Sequence, residues 1–178
     1  MCIKKILIIL IGIIQIGFGA TLPTLSGKTL ANTQVNIPNE TQPMVLIIGF
    51  DMNSAEPMAE WVRQLALTPS SNLVWYQVAV IGKVPPFVDG FIKKGMKKSV
   101  SKINHNHYLP YFGGKKKELI KALVDSDELK DFVTPFIIMV TKNGELTYTL
   151  QAELSTKNIQ IIQREVTLLK ESNTGEFD

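Results

Sequence analysis

Three continuous apolar runs divide the chain, and each is typical of a strand buried on both faces of a sheet. They cover residues 44–50, 73–81 and 136–141. After the first run, apolar residues at three-and-four spacing predict a helix from Asn53 or Ser54 to about Leu67. A similar pattern that begins at a Ser155 cap predicts a last helix to about Glu171.

The stretch 87–124 combines a helical pattern with dense positive charge and predicts a helical insert. The apolar stripe consists of Ile92, Met96, Val100 and Ile103, and the lysines around it are Lys93, Lys94, Lys97, Lys98 and Lys102. We expect a basic amphipathic helix, which either covers a sheet or lies on a membrane or in the groove of a partner. After the glycine pair at 113–114, residues 115–124 begin another helix.

The order of these elements predicts an α/β fold. The Asn143-Gly144 pair is a strong hairpin signal, so residues 145–151 form an antiparallel return strand. Parallel strands joined by helices and closed by a hairpin imply a three-layer sandwich, with a mixed central sheet and helices on both faces. We expect the folded domain over residues 44–171, a turn-rich lead-in over 21–43 and a flexible tail over 172–178.

The N-terminus has the layout of a secretory signal peptide. Lys4 and Lys5 precede an apolar run, and small residues follow it. We predict that residues 1–20 are the signal peptide, with cleavage after Gly19 or Ala20. The protein would then be exported, and periplasmic in a Gram-negative cell. The alternative is that the run remains as an N-terminal membrane anchor.

Composition excludes thiol chemistry more firmly than it indicates a function. The chain has 178 residues, of which 45% are hydrophobic and 20% charged, as in an ordinary globular domain. Cys2 is the only cysteine and lies within the predicted signal peptide. The mature chain can therefore form no internal disulfide, no zinc–cysteine site and no two-thiol redox cycle.

Positive charge is concentrated in the predicted insert. Residues 83–121 carry ten lysines against Asp89 and Glu118, a net charge of +8, whereas the rest of the predicted mature chain carries −7. A basic insert on an acidic body favours an anionic partner, either an acidic protein or an anionic membrane surface. We expect no nucleic-acid partner, because the protein is predicted to be exported and contains only Arg63 and Arg164 as arginines.

The element order resembles the thioredoxin fold, in its redoxin and peroxiredoxin-like forms. Thr134 and Pro135 stand just before the third apolar strand, where thioredoxin-like proteins keep a cis-proline, and the predicted hairpin follows. Residues 50–61 lie where the family places its Cys-x-x-Cys. Ala55 and Met58 fall on the two cysteine positions. The resemblance therefore implies the family's shape without its thiolate nucleophile.

A further similarity is to the mitochondrial ATP synthase assembly factor family. It rests on a tryptophan-bearing helix at Ala59-Glu60-Trp61 and on a lysine-rich insert over residues 91–111. It implies a role in assembly.

Taken with the predicted signal peptide and the missing cysteines, these resemblances favour an exported, non-catalytic binding or assembly (chaperone-type) module, without enzyme activity or cofactor. The partner would be a protein, either an extended segment or a subunit of a membrane complex. The predicted binding surface consists of Asp51, Met52, Asn53, Ser54, Ala55, Glu56, Thr134 and Pro135. In the family, the residue before the proline pairs its backbone with an extended substrate, a mode that needs no thiol. Thr134 would do so here.

An alternative function is a periplasmic copper or other metal carrier. His105 and His107 are the only histidines, and their spacing places both on one side of an extended segment. Met52, Met58 or Met96 would supply soft thioether ligands for Cu(I).

Overall fold

The structure is a computed structural model that describes residues 20–39, 41–124 and 131–174. The predicted signal peptide lies outside these residues apart from Ala20, and so does the end of the predicted tail, 175–178. No helix in the described ranges has the length and apolar character needed to cross a bilayer.

The described chain alternates strands and helices. The strands are β1 (Leu25–Lys28), β2 (Gln34–Ile37), β3 (Met44–Gly49), β4 (Val74–Val80), β5 (Tyr108–Tyr111), β6 (Phe136–Val140) and β7 (Leu146–Gln151). The α-helices are α1 (Ala55–Gln64), α2 (Pro86–Ser99), α3 (Lys116–Leu123) and α4 (Thr156–Thr174). Two short 3-10 helices, Met52–Ser54 and Lys102–His107, precede α1 and β5.

Five strands form a mixed sheet in the order β5-β4-β3-β6-β7. β3 runs parallel to β4, and β4 runs parallel to β5. β6 and β7 complete the other half with antiparallel pairs. Every residue of β3 and β6 is buried, because both strands are covered on both faces, as their continuous apolar sequences predict. The predicted α/β sandwich with a mixed central sheet is confirmed.

The two faces of the sheet carry separate apolar cores. On one face, α1 and α4 pack over the sheet around the buried indoles of Trp61 and Trp75. Each indole N–H donates to a backbone carbonyl: Trp61 to Ala152 at 3.2 Å and Trp75 to Thr68 at 3.0 Å. On the other face, α3 and the β1–β2 pair cover the sheet. The helix layers on both faces therefore follow the prediction.

The lead-in at 21–43, which was expected to be rich in turns, contains two short strands. β1 and β2 pair antiparallel, with Leu25 opposite Ile37, and both side chains are fully buried in the core of the sheet. The fold therefore begins before residue 44. Two four-residue strands are too short to show a period, and the burial of Leu25 and Ile37 depends on the sheet that they cover. At the other end, α4 continues to Thr174, past the predicted limit at Glu171.

The insert is less helical than predicted. α2 ends at Ser99, Val100 is extended, and Lys102 lies in the 3-10 helix, so Lys102 is not part of the basic helix. β5 then adds a strand that the sequence analysis missed. All four of its residues are buried, although Pro110 has no N–H to donate. Proline is tolerated here because β5 lies at the edge of the five-stranded sheet.

The end of β3 provides a test of the packing. A Cβ added to Gly49 would lie 2.5 Å from Met58 Sδ and 2.7 Å from Ser54 Cβ, both on elements that must stay close to the strand. We expect Gly49→Ala to lower the free energy of unfolding by about 1–3 kcal/mol, as overpacking does. Urea denaturation followed by circular dichroism measures it.

The matched control is Gly95→Ala in α2, where an added Cβ finds no atom within 4 Å. Alanine also forms helix better than glycine, so we expect no loss of stability. Equal losses in the two variants would contradict the packing described for Gly49.

Candidate binding site at the carboxyl end of the sheet

The parallel strands β3 and β4 end at the same edge of the sheet, and α1 begins there. Ligands of open α/β sheets bind outside the carboxyl ends of the strands, where the following loops and helix starts converge. The predicted binding residues of the 51–56 segment form the turn between β3 and α1 and the first two residues of α1.

Hydrogen bonds shape this turn and fix it to a second segment. Asp51 Oδ1 accepts from the Asn53 N–H at 2.8 Å, so this carboxylate caps the turn. The buried Ser54 donates its Oγ hydrogen to the Phe132 carbonyl at 3.0 Å. The structure thereby brings together the 51–56 turn and the segment before β6, which were predicted to share one surface.

Asp131 organises the segment before β6. Its Oδ1 accepts from the backbone N–H groups of Thr134 at 2.5 Å and Val133 at 2.7 Å, and its Oδ2 accepts from the Thr134 hydroxyl at 2.9 Å. The Thr134 N–H bond is the main cause that lowers the pKa of Asp131 below its ordinary value. Asp131 was not among the predicted site residues, although an aspartate three positions before a threonine is a common turn pattern.

The Thr134 backbone, which was expected to pair with an extended partner, makes hydrogen bonds within the chain. Its N–H already donates to Asp131, and its carbonyl accepts from Gln151 Nε2 at 3.2 Å. Both groups needed for pairing with an extended partner are therefore engaged within the chain. The Thr134–Pro135 peptide bond is trans, since Ile37–Pro38 is the only cis bond among the described residues. The cis-proline of the family pattern is not reproduced at Pro135.

A cavity of about 480 Å³ opens beside the turn. One wall is the turn itself, with Asp51, Met52 and Ala55. The opposite wall is α2, which contributes Ile92 and Met96. Half of the predicted stripe on α2 therefore faces this cavity, which the sequence analysis did not predict.

Small residues make the floor of the cavity. Gly49 and Ala79, near the ends of β3 and β4, both line it. Tyr108 also lines the cavity, and burial raises the pKa of its phenol to about 12. No residue of α2 is buried, which shows that this helix stands off from the sheet. The result is a mainly apolar cavity.

Exposed apolar side chains lie at the cavity mouth and on the segment before β6, which packs against Phe50 of the cavity lining. Met52 is 91% exposed at its mouth. Phe132 and Val133 are 45% and 41% exposed, and the Phe132 ring packs edge-on against Phe50 with centroids 6.5 Å apart. Lys116 lies over both rings and donates from Nζ to the Phe50 carbonyl at 3.3 Å. We call Met52, Phe132 and Val133 the apolar rim.

The structure does not bring the histidines to the cavity. His105 Nε2 lies 3.1 Å from the Val100 carbonyl, and His107 Nδ1 lies 3.0 Å from that of Trp75. The His107 ring also stacks on the Trp75 indole, with centroids 4.3 Å apart. In the described ranges, no three or more His, Cys, Asp or Glu residues are grouped to hold a metal ion.

The three candidate methionine ligands line one cavity. Met52, Met58 and Met96 all line the cavity, from the turn, α1 and α2 respectively. The structure thus separates the two halves of the predicted copper site.

The Asp131 network predicts a pH-dependent stability. Folding lowers the pKa of Asp131, so its ionised carboxylate adds to the free energy of unfolding. This stabilisation is complete above the ordinary pKa of 3.8 and is lost as the pH falls through the lowered value. We expect Asp131→Asn to lower the free energy of unfolding by about 1 kcal/mol at pH 6. The difference in stability between the variant and the unmodified protein should shrink towards pH 2. Urea unfolding at both pH values measures it, and a difference independent of pH would contradict the assignment.

Neither a protein-family model nor a curated protein matches this sequence. Solved structures do match in shape. The exposed lipoprotein thioredoxin of Streptococcus pneumoniae has 11% identity and a TM-score of 0.51, covering 80% of this chain and 99% of its own. BsSco, a member of the Sco family of cytochrome c oxidase assembly proteins, has 11% identity and a TM-score of 0.55, covering 85% and 94%.

A third match comes from Bacteroides thetaiotaomicron. Its putative protein disulfide isomerase has 12% identity and a TM-score of 0.52, covering 88% of this chain and 92% of its own. Identities this low establish the shape of the fold and nothing of the activity. The α/β sandwich described above is therefore a thioredoxin-like fold, in a chain whose single cysteine, Cys2, provides no Cys-x-x-Cys pair.

Proposed function

We propose that this protein is an exported, non-catalytic thioredoxin-like binding module that takes apolar side chains of an extended protein segment into its cavity. The apolar cavity beside the start of α1 carries this proposal. It occupies the end of the fold at which thioredoxin-like proteins hold their reactive cysteines.

The side chains at this end supply no thiol chemistry. Ala55 and Met58 stand at the two cysteine positions of the family pattern, and neither side chain forms a thiolate. The Asp51 carboxylate is engaged as a turn cap, which supports a structural role for it. The cavity is mainly apolar, and an apolar cavity is suited to binding apolar groups of a partner.

The apolar rim supports a protein as the partner. Exposed apolar patches next to a cavity mark interaction surfaces, and methionine adapts to irregular partners. Met52, Phe132 and Val133 extend the contact beyond the cavity, so a chain could lie along the rim while one side chain enters. Because the Thr134 backbone is engaged, side-chain contacts would carry the binding.

An assembly role and export complete the proposal. BsSco is described as belonging to a family of cytochrome c oxidase assembly proteins. By analogy, the partner here is a subunit of a membrane complex, as the similarity to the ATP synthase assembly factors also implies. The N-terminal pattern supports export, to the periplasm in a Gram-negative cell, and an uncleaved N-terminus would keep the protein anchored at the membrane.

A substitution at the cavity mouth tests the binding mode. Ala55 is exposed and lines the cavity, so Ala55→Trp would block the opening without disturbing the core. Against decapeptides selected from a random displayed library, we expect enrichment of apolar residues and at least about a tenfold rise in Kd for this variant.

The control is Ala59→Trp, the same change one turn along α1 at an exposed residue that does not line the cavity. We expect its Kd to match that of the unmodified protein. A library that yields no apolar binders would reject the proposal. Equal weakening by both tryptophans would place the binding elsewhere.

Copper carriage is the second candidate, favoured by the convergence of Met52, Met58 and Met96 on the cavity. A carrier of this kind would bind Cu(I) in competition with a chromogenic chelator. Binding would be lost in Met96→Leu and retained in a variant with both histidines replaced by alanine, since their rings contact backbone carbonyls. The peptide-binding proposal expects no competition with the chelator.

A further inference from the structure

The outward face of α2 carries two aromatic rings and a row of lysines. Phe87, Phe91, Lys94 and Lys98 follow one another at spacings of four, three and four, which puts them on a single face of the helix. Phe87 is 73% exposed and Phe91 is 75% exposed, and both lysines are exposed. We call these four residues the outer stripe.

The face of α2 opposite the outer stripe lines the cavity. Ile92 and Met96 are half-buried and line the cavity. The outer stripe is therefore turned away from the protein. Two phenylalanines in this position are unusual for a helix that merely covers a sheet, since such a helix keeps its apolar residues inward.

α2 is weakly held by the rest of the fold. None of its residues is buried. A Cβ added at Gly90 or Gly95 would have no neighbouring atom within 4 Å. Glycine in a helix interior lowers helix stability, and most helices depend on tertiary packing. A surface that covered the outer stripe would supply packing that the fold itself does not provide.

The charge around the outer stripe indicates what that surface is. α2 itself carries four lysines, Lys93, Lys94, Lys97 and Lys98, against one carboxylate, Asp89, a net charge of +3 without an arginine. Among the described lysines of α2, Lys93 alone pairs with a carboxylate, that of Asp89 at 3.9 Å. Lysines act as point charges, whereas specific acidic protein sites favour the bidentate arginine. A spread of lysines suits a dense, uniform array of negative charge.

We propose that α2 docks on an anionic lipid bilayer, with the rings of Phe87 and Phe91 between the headgroups and the lysines against lipid phosphates. A bilayer supplies an apolar layer and a negative layer at once, which is the environment that basic helices with exposed aromatic residues enter. An acidic protein would have to provide a fitted apolar pocket as well. This docking is independent of what the cavity binds, and its failure would leave the proposed function intact.

Vesicle co-sedimentation with the purified exported chain tests the proposal. We expect binding to vesicles of phosphatidylcholine containing phosphatidylglycerol, and none to phosphatidylcholine alone. Raising the salt concentration should weaken the binding, because ions screen the lysine–phosphate attraction. Inorganic phosphate at constant ionic strength should not compete, which separates a bilayer from a free anion. Competition by inorganic phosphate would overturn the proposal.

Two pairs of variants locate the contact. Phe87→Ser with Phe91→Ser, and Lys94→Gln with Lys98→Gln, should each weaken vesicle binding by about tenfold or more. The lysine pair should also reduce the dependence on salt. Because α2 buries no residue, we expect both double variants to keep the thermal unfolding midpoint of the unmodified protein.

α4 offers matched controls. Ile161→Ser with Leu168→Ser removes two exposed apolar residues, and Lys157→Gln with Lys170→Gln removes two exposed lysines. Both control pairs should bind vesicles as the unmodified protein does. The proposal is overturned by an absence of binding to anionic vesicles, or by equal losses in the α2 and α4 variants. Binding to a soluble acidic protein without vesicle binding would replace the bilayer with that class of partner.

Discussion

The complete burial of β3 is the constraint on which the rest of the molecule depends. This strand pairs with β4 on one side and β6 on the other, and both of its faces are covered. Its last residue, Gly49, lies against Met58 and Ser54, so the start of α1 is held close to the sheet. Contacts within the chain thereby hold the turn that forms one wall of the cavity.

The elements that could be predicted from sequence are those whose own apolar pattern shows which of their residues are buried. β3 and β6 are continuous apolar runs, and α1 repeats its apolar positions with a helical period. The local sequence is therefore enough to predict each of these elements. β5 could not be recognised in this way, because it is short, contains Pro110 and owes its burial to the neighbouring strand and to the layers around it. The same holds for the β1–β2 pair.

The candidate site was predictable only in part. The turn at 51–56 and the segment at 134–135 were expected to adjoin, and the Ser54–Phe132 hydrogen bond joins the two regions. The engagement of the Thr134 carbonyl depends on Gln151, a residue of another strand, which no local pattern could reveal. The cavity arises from small floor residues combined with a helix that stands off from the sheet, a relation between distant parts of the chain.

β5 has a further consequence for how this protein behaves in a crowded compartment. The carbonyl of Tyr108 accepts from the Leu30 N–H at 2.9 Å, and Pro110 offers no donor. A neighbouring molecule that tried to extend the sheet at this border would find one acceptor occupied and one donor missing. β5, the edge strand on this side, therefore also opposes the addition of strands from other molecules to the sheet.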